Sequence, residues 1–241
     1  MKLLCLSDIH GEAAGLDTVL ARDPGVDVVV IVGDITHRGD YGEAEAVLSS
    51  LVASGVRMVA VAGNMDREGV RRYLGDKGID IHCRGVIIDG IGFMGLGGGT
   101  PSPFRTPWEL PPEDATRCLA AGLARISAAA FKVLVSHAPP QATEIDRSFT
   151  RMHVGSVPVR EFLLDGPQKD GGAVNAAELS GSRNAARSGV VNLCICGHVH
   201  EAAGEDSLGG VTCVNVGPYK NGKYALISIT GDRSEILWRT R

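Results

Sequence analysis

The chain has 241 residues, 44% of them hydrophobic and 22% charged, with a net charge of −4. That length suits one large domain burying roughly 70–75% of its unfolded surface, and the balance excludes a disordered, collagen-like or coiled-coil chain. The densest basic cluster, Arg67, Arg71, Arg72 and Lys77, is spread along one predicted helix, which disfavours nucleic acid as a large bound partner.

Apolar runs rich in Val, Ile and Leu recur at 2–7, 26–32, 56–62, 86–88, 91–96, 131–136, 190–196, 211–216 and 224–229. Short continuous β-branched runs predict strands buried on both faces. Between the early runs, 12–22, 41–54, 67–74 and 113–130 place their apolar residues on one side and predict helices. Strand–helix alternation in the first half implies right-handed βαβ units and a mainly parallel sheet. The last two runs, separated by 218–222, predict a hairpin. The stretch 97–112 is rich in Pro and Gly and predicts a loop. The stretch 165–189 is poor in large apolar residues and predicts a surface insertion, with a short helix around 173–179, inside a single domain spanning 1–241.

The apolar part of the N-terminus is too short for a signal sequence and no run reaches membrane length. A soluble cytoplasmic protein is expected, with no membrane partner. None of the six cysteines forms a C-x-x-C pair. The expectation is buried thiols in a reducing compartment rather than a zinc or redox site.

Two counts are unusual. Glycine supplies 32 residues, nearly twice the usual share of about 7%, and there are seven histidines. Both concentrate where apolar runs end. The first run ends in Ser7-Asp8-Ile9-His10-Gly11, the second in Gly33-Asp34 and the third in Gly63-Asn64-Met65-Asp66; later runs end in His137 and in Gly197-His198-Val199-His200. Ligands of open parallel sheets bind outside the carboxyl ends of the strands. Asp8, His10, Asp34, Asn64, His137, His198 and His200 are therefore expected on one rim. Carboxylate, imidazole and amide oxygen together suit two hard-to-borderline divalent ions. Asp34 is the middle candidate for a bridging carboxylate. The glycines at 11, 33, 63 and 197 are expected where a side chain would crowd the ions or a phosphate.

The pattern D-x-H…G-D…G-N-x-D…H…G-H-x-H resembles the calcineurin-like metallophosphoesterase superfamily, and its loops resemble the small single-domain prokaryotic phosphodiesterase branch. The resemblance implies an α/β four-layer sandwich of two facing mixed β-sheets flanked by helices. It implies a first metal on Asp8, His10, Asp34 and His200 and a second on Asp34, Asn64, His137 and His198. Manganese is the first expectation, with iron, zinc, nickel and magnesium as alternatives. The implied reaction is hydrolysis of phosphodiester bonds, and of phosphomonoesters secondarily, by in-line attack of a hydroxide bridging the ions, with Asp34, Asn64 and His137 as catalytic residues and a small phosphoester as substrate.

One position departs from the pattern. The superfamily usually has His after the Asn, where this chain has Met65. A thioether cannot donate a proton, so activated diesters should react better than alkyl monoesters, and Asp66 is reassigned to capping the 67–74 helix. His37 and His153 are candidate replacement donors. Met65 and Arg105 join them as candidate substrate contacts, while His82 has no motif around it and is expected to be structural. The competing readings are a nuclease on the same two-metal site and a non-catalytic interaction module on this fold. The sequence carries no signal for an oligomeric state.

Overall fold

The computed structural model describes residues 1–166 and 190–241, so the insertion expected at 165–189, with its short helix at 173–179, falls outside the described residues from 167 onward. The first half alternates as expected: β1 (Lys2–Leu6), α1 (Leu16–Arg22), β2 (Val28–Val32), α2 (Tyr41–Ala53), β3 (Arg57–Val61) and α3 (Glu68–Asp76). Then come β4 (Gly85–Ile88), β5 (Ile91–Leu96), α4 (Pro112–Arg125), β6 (Phe131–Ser136), α5 (Val157–Asp165), β7 (Leu193–Cys196), β8 (Gly204–Leu208), β9 (Val211–Asn215), β10 (Lys223–Thr230) and β11 (Arg233–Thr240). α1 starts later than expected because Gly15, left-handed at φ 79°, precedes it.

Two mixed sheets result, ordered β11-β10-β1-β2-β3 and β4-β5-β6-β7-β9-β8. β1, β2 and β3 are parallel, as are β5, β6, β7 and β9. The alternation of side chains along each strand builds the layers. Leu3 and Cys5 of β1 point into the space between the sheets, with Val30, Phe93, Val133 and Ile195. Leu4 and Leu6 point the other way, under Val19, Leu48 and Val70 of α1, α2 and α3. On the far side, Leu119 of α4 and Phe162 of α5 cover Met94, Leu134 and Cys194 of the second sheet. The order helix, sheet, sheet, helix is the four-layer sandwich.

The hairpin expected across 218–222 does not form. β9 belongs to the second sheet, between β7 and β8, while β10 belongs to the first, between β1 and β11. The crossing is held by Tyr219, whose N–H donates to Ser7 O at 2.8 Å and whose ring is buried in the core under α1 and α2. β8 and β11 were not expected. They are edge strands with much of their surface exposed, so their sequences lack the continuous apolar run.

Two local expectations are also corrected. Asp66 does not cap α3; Arg67 occupies that position without a side-chain cap. Asp66 is fully buried and accepts hydrogen bonds from Gly63 N at 2.8 Å, Ile35 N at 3.1 Å, Thr36 N at 2.8 Å and Thr36 Oγ1 at 2.8 Å. It ties the loop after β2 to the loop after β3. Burial pushes its carboxyl upward against the pull of those donors. The cysteines, for their part, divide. Cys5, Cys194, Cys196 and Cys213 are free and buried, whereas Cys83 and Cys118 form a disulfide. These two stand 35 positions apart and meet only because α4 packs on β4 and β5.

Two substitutions test this architecture. Phe93→Ala, between the sheets, is expected to cost about 3–5 kcal/mol in urea unfolding; a loss under about 1 kcal/mol would contradict close packing there. Asp66→Asn turns an amide NH2 toward backbone donors and is expected to cost about 1–3 kcal/mol, with both loops exchanging amide hydrogens faster.

Candidate metal centre

The parallel strands of the first sheet end at one rim and deliver Asp8 and His10, Asp34, and Asn64. β6 and β7 of the second sheet deliver His137, and His198 and His200, to the same place. Backbone bonds lace the turns together: Asp8 N to Gly33 O at 3.1 Å, His10 N to Asp34 O at 2.8 Å and Gly197 N to His137 O at 3.1 Å. The turns are strained. Asp8, His10, Asp34 and His198 have φ of 52°, 50°, 48° and 67°, a region that costs a non-glycine residue of order 1–3 kcal/mol unless its surroundings over-determine it. The neighbouring glycines accommodate this crowding. A Cβ on Gly63 would strike the Asp34 backbone, and one on Gly33 would strike the His137 ring. Those glycines make room for other residues of the cluster.

The side chains then converge. Asp8, His10 and His200 place their ligand atoms within 4.8 Å of one another, and so do Asp8, Asp34 and His137. His10 Nε2 lies 3.2 Å from His200 Nε2 and 3.9 Å from Asp8 Oδ1. Asp34 reaches both sides: Oδ2 is 3.7 Å from His10 Nε2 and Oδ1 is 3.4 Å from His137 Nε2. Asn64 Oδ1 lies 3.0 Å from His137 Nε2. The His198 ring meets the His137 ring edge-on, with centroids 5.0 Å apart.

Supporting bonds fix these orientations. His137 Nδ1 donates to Val32 O at 2.8 Å, which aims Nε2 at Asp34 and Asn64. Asp8 Oδ2 accepts from Ser7 Oγ at 2.6 Å and from His198 N at 3.0 Å. Asp34 Oδ1 accepts from Met65 N at 2.8 Å. Asn215, fully buried, donates from Nδ2 to Ile145 O at 3.1 Å and Val199 O at 2.9 Å, and so holds the turn between His198 and His200. Ser7 and Asn215 escaped the sequence reading because an isolated Ser or Asn beside a strand carries no motif.

The electrostatics show what the cluster lacks. Burial pushes Asp34 up to about 7, and the Asp8 and Asp66 charges add to that against the pull of His137. Burial also acts upward on Asp8, but its hydrogen bond with His200, the charges of His137 and His200 and the Ser7 bond outweigh it and hold the carboxyl below its usual range. Burial lowers His10 to about 4 and His198 to about 3, leaving neutral imidazoles with free lone pairs. Burial acts downward on His137 too, yet the Asp34 and Asp8 carboxylates raise it. Two buried acidic side chains and the neutral imidazoles of His10 and His198, converging without a Lys or Arg among them, fit divalent cations.

The four further candidates scatter. Met65 sits at the rim through its backbone bond to Asp34. His37 Nδ1 lies 3.5 Å from His10 Nδ1, the one histidine outside the cluster in contact with it among the described residues. Arg105 is exposed, and its N–H is turned back to Ser102 O. His153 is turned toward the buried Asp146, Nδ1 to Oδ1 at 2.5 Å. Lys220, absent from the sequence reading, lies close enough for its charge to act on His10.

Comparisons with known proteins agree with this geometry. The model of the family described as calcineurin-like phosphoesterase matches residues 1–202. The uncharacterized protein MJ1162 of Methanocaldococcus jannaschii is 29% identical over 223 residues, covering 90% of this chain and 88% of that protein. Among solved structures, TT1561 of Thermus thermophilus superposes with a TM-score of 0.72 at 17% identity, covering 100% of this chain and 99% of the other. A dimetal phosphatase of Danio rerio superposes with a TM-score of 0.56 at 14% identity, covering 100% and 96%. At these identities the superpositions speak for the fold, whereas the family match spans most of the chain and takes in every residue of the cluster. The chain belongs to the calcineurin-like phosphoesterase family, and with it to the metal-dependent hydrolases of phosphoric esters.

Proposed function

We propose that this protein is a two-metal phosphodiesterase acting on small phosphoesters. The observation that carries the two-metal reading is the double reach of Asp34, one oxygen toward His10 and the other toward His137. In this reading Asp8, His10, Asp34 and His200 hold one ion, and Asp34, Asn64, His137 and His198 hold the other. Bound there, divalent ions would acidify a coordinated water and neutralise phosphate oxygens. Manganese is the first choice of metal.

The protein groups have their own tasks. His137 keeps Nε2 aimed into the site through its Nδ1 bond to Val32. Asn64 presents its amide oxygen inward and keeps its NH2 for a phosphate oxygen. Lys220 adds a positive charge on the His10 side. Diester preference rests on Met65. Its backbone N–H holds Asp34, but its side chain has no proton for a leaving alkoxide. His37, in contact with His10, is the candidate donor. His153 is held by Asp146, which supports a place in loop structure. The proposed compartment is the cytoplasm, supported by four free, buried cysteines. No described helix is long and apolar enough to cross a membrane.

Three outcomes are expected with Mn2+ supplied. An activated aryl diester turns over at least about tenfold faster than an alkyl monoester, because a poor leaving group needs the missing acid; a strong monoester preference contradicts the proposal. Asp34→Asn lowers kcat/KM roughly a hundredfold or more and reduces bound metal measured by elemental analysis; full activity would remove Asp34 from the bridging role. Met65→His raises turnover of alkyl esters more than of activated aryl esters, within the roughly 10²–10⁴-fold span of general acid catalysis.

A further inference from the structure

A second chemical cluster lies behind the loop that supports Asn64. His82 and Cys83 precede β4, and Cys118 lies within α4. His82 Nε2 is 3.1 Å from Cys83 Sγ and 3.6 Å from Cys118 Sγ. Its other nitrogen, Nδ1, accepts the Gly97 N–H at 3.0 Å. That bond fixes the tautomer: a neutral imidazole accepting at Nδ1 carries its proton at Nε2. The N–H therefore points at the two sulfurs. A metal ion would need the Nε2 lone pair instead, so these three residues are better arranged for sulfur chemistry than for a cation. Cys83 is half-buried and Cys118 buried, so a small thiol reaches Cys83 first. Cys83 is held at φ 53°, and its N–H is bonded to Gly95 O at 3.0 Å. Arg71 and Arg84 place positive charge near His82, and positive surroundings favour a thiolate.

The four other cysteines contrast with this pair. They are buried within the sheets, and none is hydrogen-bonded to a histidine among the described residues. Disulfides in a reducing compartment are usually transient, catalytic or sensing.

We propose that Cys83 and Cys118 form a reversible redox pair, with His82 donating a hydrogen bond to its sulfurs and a glutathione-type thiol–disulfide couple as co-reactant. Oxidation proceeds in two exchanges. The Cys83 thiolate attacks a small disulfide, forming a mixed disulfide and releasing one thiolate. The Cys118 thiolate then attacks the Cys83 sulfur, closing the protein disulfide and releasing the second. Two electrons pass from the cysteines to the small disulfide, and the two cysteine protons end on the two released thiols. Reduction is the reverse.

The pair is positioned to report to the metal centre. The His82 ring packs edge-on against Trp108, with centroids 4.8 Å apart. Trp108 N donates to Asn64 O at 3.0 Å, and Gly99 N donates to Trp108 O at 3.1 Å. Closing the disulfide fixes the segment that bears His82, and through Trp108 it steadies Asn64. Only this link rests on the metal-centre reading; the thiol chemistry does not.

The test uses the full chain, equilibrated in buffers of varied reduced-to-oxidised glutathione ratio, acid-quenched, denatured and labelled with a maleimide. Native protein is expected to pass from four to six labelled thiols as reduced glutathione rises, with the change mapped to Cys83 and Cys118 by peptide mass. The oxidised form should melt about 5–10 °C higher, and Cys118→Ser should abolish that shift. Six thiols in every buffer, or four until the protein unfolds, would overturn the proposal. So would one equivalent of zinc in the purified chain that Cys118→Ser loses. The link to Asn64 predicts severalfold tighter Mn2+ binding in the oxidised form by calorimetry; equal binding in both forms would overturn the link while leaving the thiol result standing.

Discussion

Two buried carboxylates that face one another with no Lys or Arg between them set the terms for the rest of this molecule. Asp8 and Asp34 follow adjacent parallel strands, both out of water. Like charges so placed repel, and burial penalises each of them. The protein answers with imidazoles. His200 and His137 hold Asp8 charged, while Asp34 is left as the group most in need of a cation. A site with that imbalance has been built around charge it does not itself contain.

Holding such a site together requires stiffness from both sheets. The first sheet contributes the carboxylates and the second contributes most of the imidazoles. The two halves are joined where His137 of the second sheet donates to Val32 of the first. Below that junction, the dry layer around Phe93, Val30 and Ile195 fixes the spacing of the sheets. Above it, Asp66 and Asn215 hold the connecting loops from beneath. Four cluster residues in left-handed backbone conformations show where packing energy is spent on function.

The same arrangement explains how a distant pair of cysteines comes near the chemistry. The loop after β5 passes under Asn64 through Gly97, Gly99 and Trp108, and its outer side is the surface against which His82 packs. The support of one metal-facing amide is thus shared with the neighbourhood of Cys83 and Cys118.

The sequence by itself determined the strand ends. Continuous Val/Ile/Leu runs predict strands, most of them doubly buried although β4 leaves Val86 and Ile87 exposed, and polar residues at the ends of parallel strands are expected at one rim, so Asp8, His10, Asp34, Asn64, His137, His198 and His200 were legible as a set. What tertiary structure decided was everything that depends on which strand lies beside which. Local pattern does not say that β9 and β10 part into different sheets, because both are apolar runs and the choice is made by Tyr219 burying its ring across the gap. Nor does it reveal β8 and β11, whose half-exposed faces carry no continuous apolar signal. Asp66 looked like a helix cap because caps are local, whereas its actual donors include a loop 30 residues away. Cys83 and Cys118 looked like ordinary thiols because no spacing rule links them, and only the seating of α4 on the second sheet makes them partners. Periodicity and strand-end chemistry are written along the chain; register, sheet membership and long-range hydrogen bonds arise only when distant segments compete for the same buried surface.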